Sequence, residues 1–182
     1  MKALKLLTLI FTVLFFVFCF AKDRIVINPT ASMPIGVYWR TNKPLERGDV
    51  VLACLPNNTI GKLFLERGYL YGISCGDSKG KILKQIVGIP GDKVVINQFG
   101  ITINGKRIET SMPQHIDSQG RKMPLGKVEK VLEVDEYILM GRHPLSLDSR
   151  YLGTFSRKQI LFPVRYLVLS YKTNSAVLFT EL

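Results

Sequence analysis

Gly80-Lys81-Ile82-Leu83-Lys84-Gln85-Ile86-Val87-Gly88-Ile89-Pro90-Gly91-Asp92 is a β-type run that ends on a cluster of turn formers. Its alternation places Lys84 on the same face as Ile82 and Ile86, with Lys81 opposite as a solvated charge. A lysine held among apolar neighbours loses hydration, which disfavours the ammonium and lowers its pKa. An amine that is neutral near pH 7 can take a proton from a hydroxyl. The competing reading of Lys84 is an edge residue whose ammonium snorkels to water. Gly88-Ile89-Pro90-Gly91-Asp92 turns the chain.

Working outward, the same texture repeats. Val50 to Cys54, Leu83 to Val87, Lys93 to Ile96, Ile101 to Ile103, Lys130 to Val134, Tyr137 to Met140 and Tyr166 to Ser170 read as strands between Gly, Pro and Asn breaks. Asn104-Gly105 is a tight hairpin signal. One short helix is expected at Ile60 to Arg67, ending at Gly68. Residues 109 to 129 carry Met112-Pro113, Met123-Pro124 and many polar groups, and read as a long loop or a small cap. No internal repeat is visible. The fold class expected is a mainly antiparallel β domain.

The chain has 182 residues and a net charge of +11, enough for one domain of ordinary size. Leu6 to Ala21 is uncharged and almost wholly apolar, after Lys2 and Lys5. It is slightly short of the ~20 residues that span a bilayer and slightly long for the ~15 of a signal-peptide core. A retained anchor is preferred over a cleaved signal, because Phe20 followed by Lys22 makes a poor cleavage site. The positive-inside rule then leaves the N-terminus in the cytoplasm and residues beyond 22 outside. Residues 1–22 are thus the anchor or signal segment and 23–182 the exported domain.

Removing Lys2 and Lys5 from the 25 basic residues leaves 23 against 14 acidic ones. These bases are dispersed rather than striped along a helix, which argues against nucleic acid and for a solvated surface that favours anionic lipid head groups. Cys54 and Cys75 both fall outside the membrane, where an oxidising compartment favours a bridge over two buried thiols. The loop it would close is worth about 3 kcal/mol in the chain-entropy treatment.

Two further segments carry chemistry. In Asn28-Pro29-Thr30-Ala31-Ser32-Met33-Pro34-Ile35-Gly36, Pro34 biases Met33 toward an extended backbone. Residues two apart in an extended stretch share a side, so Thr30 and Ser32 present their hydroxyls together. A nucleophile with an adjacent oxyanion donor needs that arrangement. In Gly141-Arg142-His143-Pro144-Leu145-Ser146-Leu147-Asp148-Ser149-Arg150, Ser146 and Asp148 share a side if the segment is extended. Asp148 and Arg150 can pair to fix the loop. Taken singly, each segment also reads as an ordinary surface turn.

Together, and in this order, the three segments resemble the signal peptidase I family. Ser32-Met33 followed by Pro34 resembles the nucleophile box, shorter by one residue. Lys84-Gln85-Ile86-Val87-Gly88-Ile89-Pro90-Gly91-Asp92 resembles the box whose leading lysine is the general base. Ser146-Leu147-Asp148-Ser149-Arg150 resembles the terminal box, whose first serine bonds and orients that lysine. Thr30 stands where part of the family has a side-chain oxyanion donor. Met140 to Leu145 lacks the usual Gly-Asp-Asn-Arg lead-in. Ser-Met-Pro-Ile-Gly-Val-Tyr and Arg67-Gly68-Tyr69-Leu70 followed by Gly72 and Cys75 look like the TraF-type conjugative-transfer peptidases, in which the Cys54/Cys75 pair also has counterparts.

The resemblance implies a two-sheet catalytic domain with an inserted cap, here about residues 97–134, behind one N-terminal transmembrane helix. It also implies a single-pass protein of a bacterial inner membrane with its catalytic domain on the periplasmic side. The activity implied is that of a serine endopeptidase with Ser32 as nucleophile, Lys84 as base, Thr30 and the Ser32 amide at the oxyanion, and Ser146 orienting Lys84. Its substrates would be preproteins or a pilin precursor, with membrane lipids around it and no cofactor or metal. His115 and His143 are not spaced as ligands and no His-Glu-x-x-His occurs. Two alternatives stand beside this: a triad of Ser32, His143 and Asp148, and a non-catalytic exported binding protein that keeps the fold.

Overall fold

The computed structural model describes residues 2–70, 73–76 and 78–167. Chain order is α1 (Lys2–Ala21), β1 (Ile25–Asn28), β2 (Gly36–Arg40), β3 (Val50–Cys54), α2 (Thr59–Glu66), β4 (Ser74–Cys75), β5 (Ser78–Lys79) and β6 (Lys81–Gly88). Then come β7 (Lys93–Asn97), β8 (Gly100–Ile103), β9 (Lys106–Arg107), β10 (Val128–Val131), β11 (Glu136–Met140), α3 (Ser149–Leu152), β12 (Phe155–Ser156) and β13 (Ile160–Leu167). The strands form a large sheet of order β1-β2-β13-β3-β6-β11-β12, a small sheet of order β10-β7-β8-β9, and the two-stranded β4-β5. Every strand pairing in them is antiparallel.

The centre of the large sheet is buried on both faces, which explains the near-continuous apolar runs of β3, β6 and β11. Val51, Ala53, Ile82, Ile86, Tyr137 and Leu139 pack on one face with Phe64 of α2 and with Tyr151 and Leu152 of α3. On the opposite face, Leu52 and Leu83 pack with Met33, Tyr38 and Val164. Farther along that face, Ile138 and Met140 pack against Val94, Ile96, Ile101 and Ile103 of the small sheet. Each fully buried side chain of this kind is worth about 1.5–3 kcal/mol.

Local chemistry sets the joints. Asn58 caps α2 by accepting from the Gly61 amide at 2.8 Å, and Gly68 ends it at φ +74°. Asn104 and Gly105 both take positive φ, 51° and 82°, in the hairpin between β8 and β9. Asp92 joins the two sheets: it accepts from Arg47 at 2.7 and 2.8 Å, from Asn104 at 2.8 Å and from the Ile89 amide at 2.8 Å. Burial of Asp92 opposes its ionisation, yet these donors hold its carboxyl below the usual range.

The helix and most strands lie where the sequence placed them, and the differences have physical reasons. The strand expected at Lys130–Val134 stops at Val131, because a Glu133–Glu136 backbone bond of 3.0 Å turns the chain there. The small sheet spans Lys93 to Val131. The last expected strand begins earlier, at Ile160, and its residues 168–170 lie outside the described residues, as does Gly72. β1 and β2, not expected as strands, pair along Ile25–Asn28 and Gly36–Trp39. α1 continues through a 3-10 turn at Lys22–Arg24 directly into β1. Lys5–Arg24 has a mean hydropathy of 2.1 and is long and apolar enough to cross a membrane.

Cys54 and Cys75 form a disulfide across a separation of 21 residues, tying β3 to the β4–β5 hairpin. Reduction is expected to lower unfolding stability by about 3 kcal/mol, through the loop entropy regained by the unfolded chain. Urea midpoints with and without reductant measure it, and coincident midpoints would rule the bridge out as a source of stability.

Candidate active site

β6 carries Lys84 into the sheet centre. Its neighbours along the strand are Ile82 and Ile86, and Val51 of β3 stands directly opposite. Lys84 is 3% exposed. Loss of hydration lowers its pKa to about 8; the nearby Asp148 carboxylate raises it and the Arg150 guanidinium lowers it. About a tenth of the amine is therefore neutral at pH 7, and most of it above pH 8. Lys81 is exposed on the other face.

Ser32 sits in the turn between β1 and β2, not in an extended stretch. The hydroxyls of Thr30 and Ser32 still meet, at 3.1 Å, through the turn rather than through strand alternation. Thr30 donates its own proton to Asn28 Oδ1 at 2.9 Å, so in the resting site Thr30 accepts from Ser32. An oxyanion role for Thr30 requires that proton to swing away from Asn28.

Asn28 is the residue that reasoning from sequence missed. It is 5% exposed, and its amide nitrogen donates to the carbonyls of Thr30, Met33 and Pro34 at 2.9, 3.0 and 3.0 Å. One side chain thus gathers the whole serine turn, with Met33 locked in the core below and the Tyr38 hydroxyl on the Pro34 carbonyl at 2.7 Å. The available signal was an asparagine directly before Pro29, a turn-initiating pair. Asn28→Ala is expected to cost about 100-fold in turnover by loosening the turn, with the fold retained by circular dichroism. Unchanged turnover would remove Asn28 from the site's support.

The third segment forms a tight loop before α3, not an extended run. Asp148 and Arg150, each 0% exposed as side chains, form an ion pair with Nη2–Oδ2 at 2.7 Å and Nε–Oδ1 at 2.8 Å. Arg150 also donates to the carbonyls of His143, Pro144 and Ser146 at 3.0, 2.6 and 3.1 Å, and Asp148 accepts from the Gly141 amide at 2.8 Å. The pair is a clamp on residues 141–146. The neighbouring Arg142 amide donates to the Ser32 carbonyl at 2.8 Å, which couples the loop to the serine turn.

Ser146 lies in this clamp, 3% exposed, and its Oγ makes no hydrogen bond among the described residues. The bond to Lys84 that the resemblance implies is not formed here. Ser146 is pressed against Gly141, where an added Cβ would collide with its Oγ. A buried hydroxyl without a partner costs about 1–3 kcal/mol, and Ser146 lines the same cleft as Lys84. His143 accepts from the Leu145 amide through Nδ1 at 3.1 Å, while both oxygens of Asp148 are engaged by Arg150 and backbone amides. Asp148 is not available to orient His143, which corrects the triad alternative.

Ser32, Thr30, Lys84, His143 and Ser146 line one cleft of about 370 Å³. Its far wall is a loop, residues 113–124, that closes on itself through an Ile116–Lys122 bridge and a Met123–His115 backbone bond of 2.9 Å. Asp117 in this loop is bound by the Tyr69 hydroxyl and by Arg121 at 2.7 Å, and Arg67 donates to the Lys122 carbonyl at 2.9 Å. The cleft therefore joins a hydroxyl pair, a desolvated amine and a spare buried hydroxyl, a set suited to acyl transfer.

The family model described as signal peptidase, peptidase S26, matches residues 1–168. The chain belongs to that family, a family of peptidases with signal-peptidase-like function. Among relatives, it is 33% identical over 141 residues to a plasmid transfer protein TraF of Escherichia coli, covering 76% of this chain and 80% of that protein. It is 32% identical over 131 residues to the conjugal transfer protein TraF of Agrobacterium fabrum (strain C58), covering 70% and 72%. The crystal structure of a signal peptidase I from Enterococcus faecalis V583 aligns at a TM-score of 0.41 and 16% identity, over 69% of this chain and all of that one.

Proposed function

We propose that this protein is a membrane-anchored serine endopeptidase that removes leader peptides from exported proteins, in particular from a conjugative pilin precursor. The observation that carries the reading is Lys84: a lysine buried between Ile82 and Ile86, with a pKa lowered to about 8, in the same cleft as Ser32. A general base needs an amine that can lose its proton near neutral pH in the same cleft as the hydroxyl it serves.

The steps follow from the groups. Neutral Lys84 accepts the Ser32 proton, and Ser32 Oγ attacks the scissile carbonyl. The Ser32 amide, with Thr30 once its hydroxyl turns from Asn28, holds the oxyanion. The protonated Lys84 gains a hydrogen-bond acceptor in Ser146 and gives its proton to the leaving amine. An acyl-enzyme remains on Ser32. Water releases it, or an amine of the same substrate displaces Ser32 and closes a circular product. The conjugative role rests on the likeness to the two transfer proteins, and the membrane-surface setting on α1.

Co-expression with a candidate pilin precursor, read by intact-protein mass spectrometry, tests it. A shortened product is expected with the wild-type chain and none with Ser32→Ala. A cyclic product is lighter than the cleaved linear one by one water. An intact precursor in both would defeat the pilin assignment, and cleavage by Ser32→Ala would defeat the nucleophile.

A further inference from the structure

The loop 113–124 is built as a rigid wall rather than a loose cover. Asp117 accepts from the Gln119 and Arg121 amides at 2.8 and 2.9 Å, which makes the loop tip a closed turn. Arg121 and Tyr69 then pin that carboxylate to the chain following α2, with the guanidinium 5.6 Å from the Tyr69 ring centre. The Tyr151 hydroxyl receives the Gln114 amide at 2.9 Å, and the Gly126 amide reaches the Arg150 carbonyl at 2.9 Å. The wall is therefore braced at both ends against α3, the helix that begins at the Asp148 clamp.

What this bracing holds up is apolar. Ile116 of the wall is 58% exposed and Leu145 of the Ser146 loop is 68% exposed, and both line the cleft that contains Ser32 and Lys84. A side chain as large as isoleucine left open on a fully hydrogen-bonded turn has no core to join. In a cleft, two such side chains from different loops offer area to an apolar group entering with the substrate, at about 25 cal/mol per Å² removed from water.

We propose that Ile116 and Leu145 are specificity-determining residues, which select a polypeptide with a large apolar side chain at one position flanking the scissile bond. The Tyr69–Asp117–Arg121 latch holds Ile116 in place for that contact. The inference rests on the peptidase reading for the nature of the occupant, and binding can test it without cleavage.

The full chain carrying Ser32→Ala, in detergent, is titrated with fluorescent peptides of small residues in which a single leucine is walked through the positions around the bond. One position is expected to prefer leucine over alanine by at least about tenfold, the low end for even one methylene in an apolar pocket. Adding Ile116→Ser or Leu145→Ser is expected to bring that ratio to within about twofold. No leucine preference at any position, or one that survives both substitutions, overturns the proposal. Cleavage of the same peptides by the wild-type chain is read separately: its failure would count against the peptidase reading, and the affinity ratio would still decide the role of Ile116.

Discussion

Replacing Lys84 by alanine is expected to abolish cleavage, with a loss of about 10⁴-fold in turnover, the upper end for a general base. Lys84→Met keeps the volume and serves as the folded control. The pH profile of the wild-type chain carries the same information. With a pKa of about 8, Lys84 is the active, neutral form above that value, and the neutral fraction falls about tenfold per unit below it. Cleavage should therefore rise with pH through 8. An activity plateau extending unchanged to pH 5 would contradict a lysine base.

Stability should move with the same group. The unfolded chain keeps Lys84 protonated up to about 10.4, whereas the folded chain releases the proton near 8. Between those values the unfolded state binds more protons, so folding stability rises with pH across that window. Below 8 both states are charged, and the cost of burying the ammonium is present in full. Lys84→Met removes both the cost and the slope, and denaturant midpoints at pH 7 and 10 should show the variant gaining most at the lower pH.

The second large effect is expected at the clamp. Asp148→Ala leaves the Arg150 guanidinium wholly buried without its partner, at a cost of about 3–5 kcal/mol. That is a large part of the stability of an ordinary domain, so the urea midpoint should fall steeply and the 141–146 loop should lose its shape. The double variant Asp148→Leu with Arg150→Met is expected to recover stability but not turnover, because an apolar pair fills the space and cannot hold the His143, Pro144 and Ser146 carbonyls. Arg150→Met alone should also move the rise of activity with pH upward, since the Asp148 carboxylate then favours protonated Lys84. A midpoint unchanged by Asp148→Ala would show that the pair is not what holds the loop.

The parts of this molecule visible in the sequence were those with a local cause. Strand alternation placed Lys84 between Ile82 and Ile86, and Asn104-Gly105 announced its turn, because neither depends on distant residues. Ser32 and Thr30 meet through a turn gathered by Asn28, not through the strand alternation that their spacing suggests. The Asn28-Pro29 pair signals only that a turn begins; that its side chain binds three carbonyls of that turn is not written in the sequence. The same holds for Arg150, whose pairing with Asp148 could be read from spacing but whose hold on the carbonyls of Thr110, His143, Pro144 and Ser146 could not. Ile116 lay in a stretch read only as loop or cap. Its placement over the cleft depends on Tyr69, far away in the chain.

The 3-10 turn Lys22–Arg24 leaves no slack between α1 and the first strand of the large sheet. A helix seated in a bilayer would therefore hold the domain at a fixed height and restrict it to spinning about one axis. For a substrate carried in the same membrane, encounter becomes a search in a plane instead of a volume, and modest affinity for the peptide is enough. A free peptide in solution gains nothing from that confinement. Lengthening the Lys22–Arg24 turn with a flexible insert should thus slow processing of membrane-borne precursors while leaving cleavage of short soluble peptides unaltered.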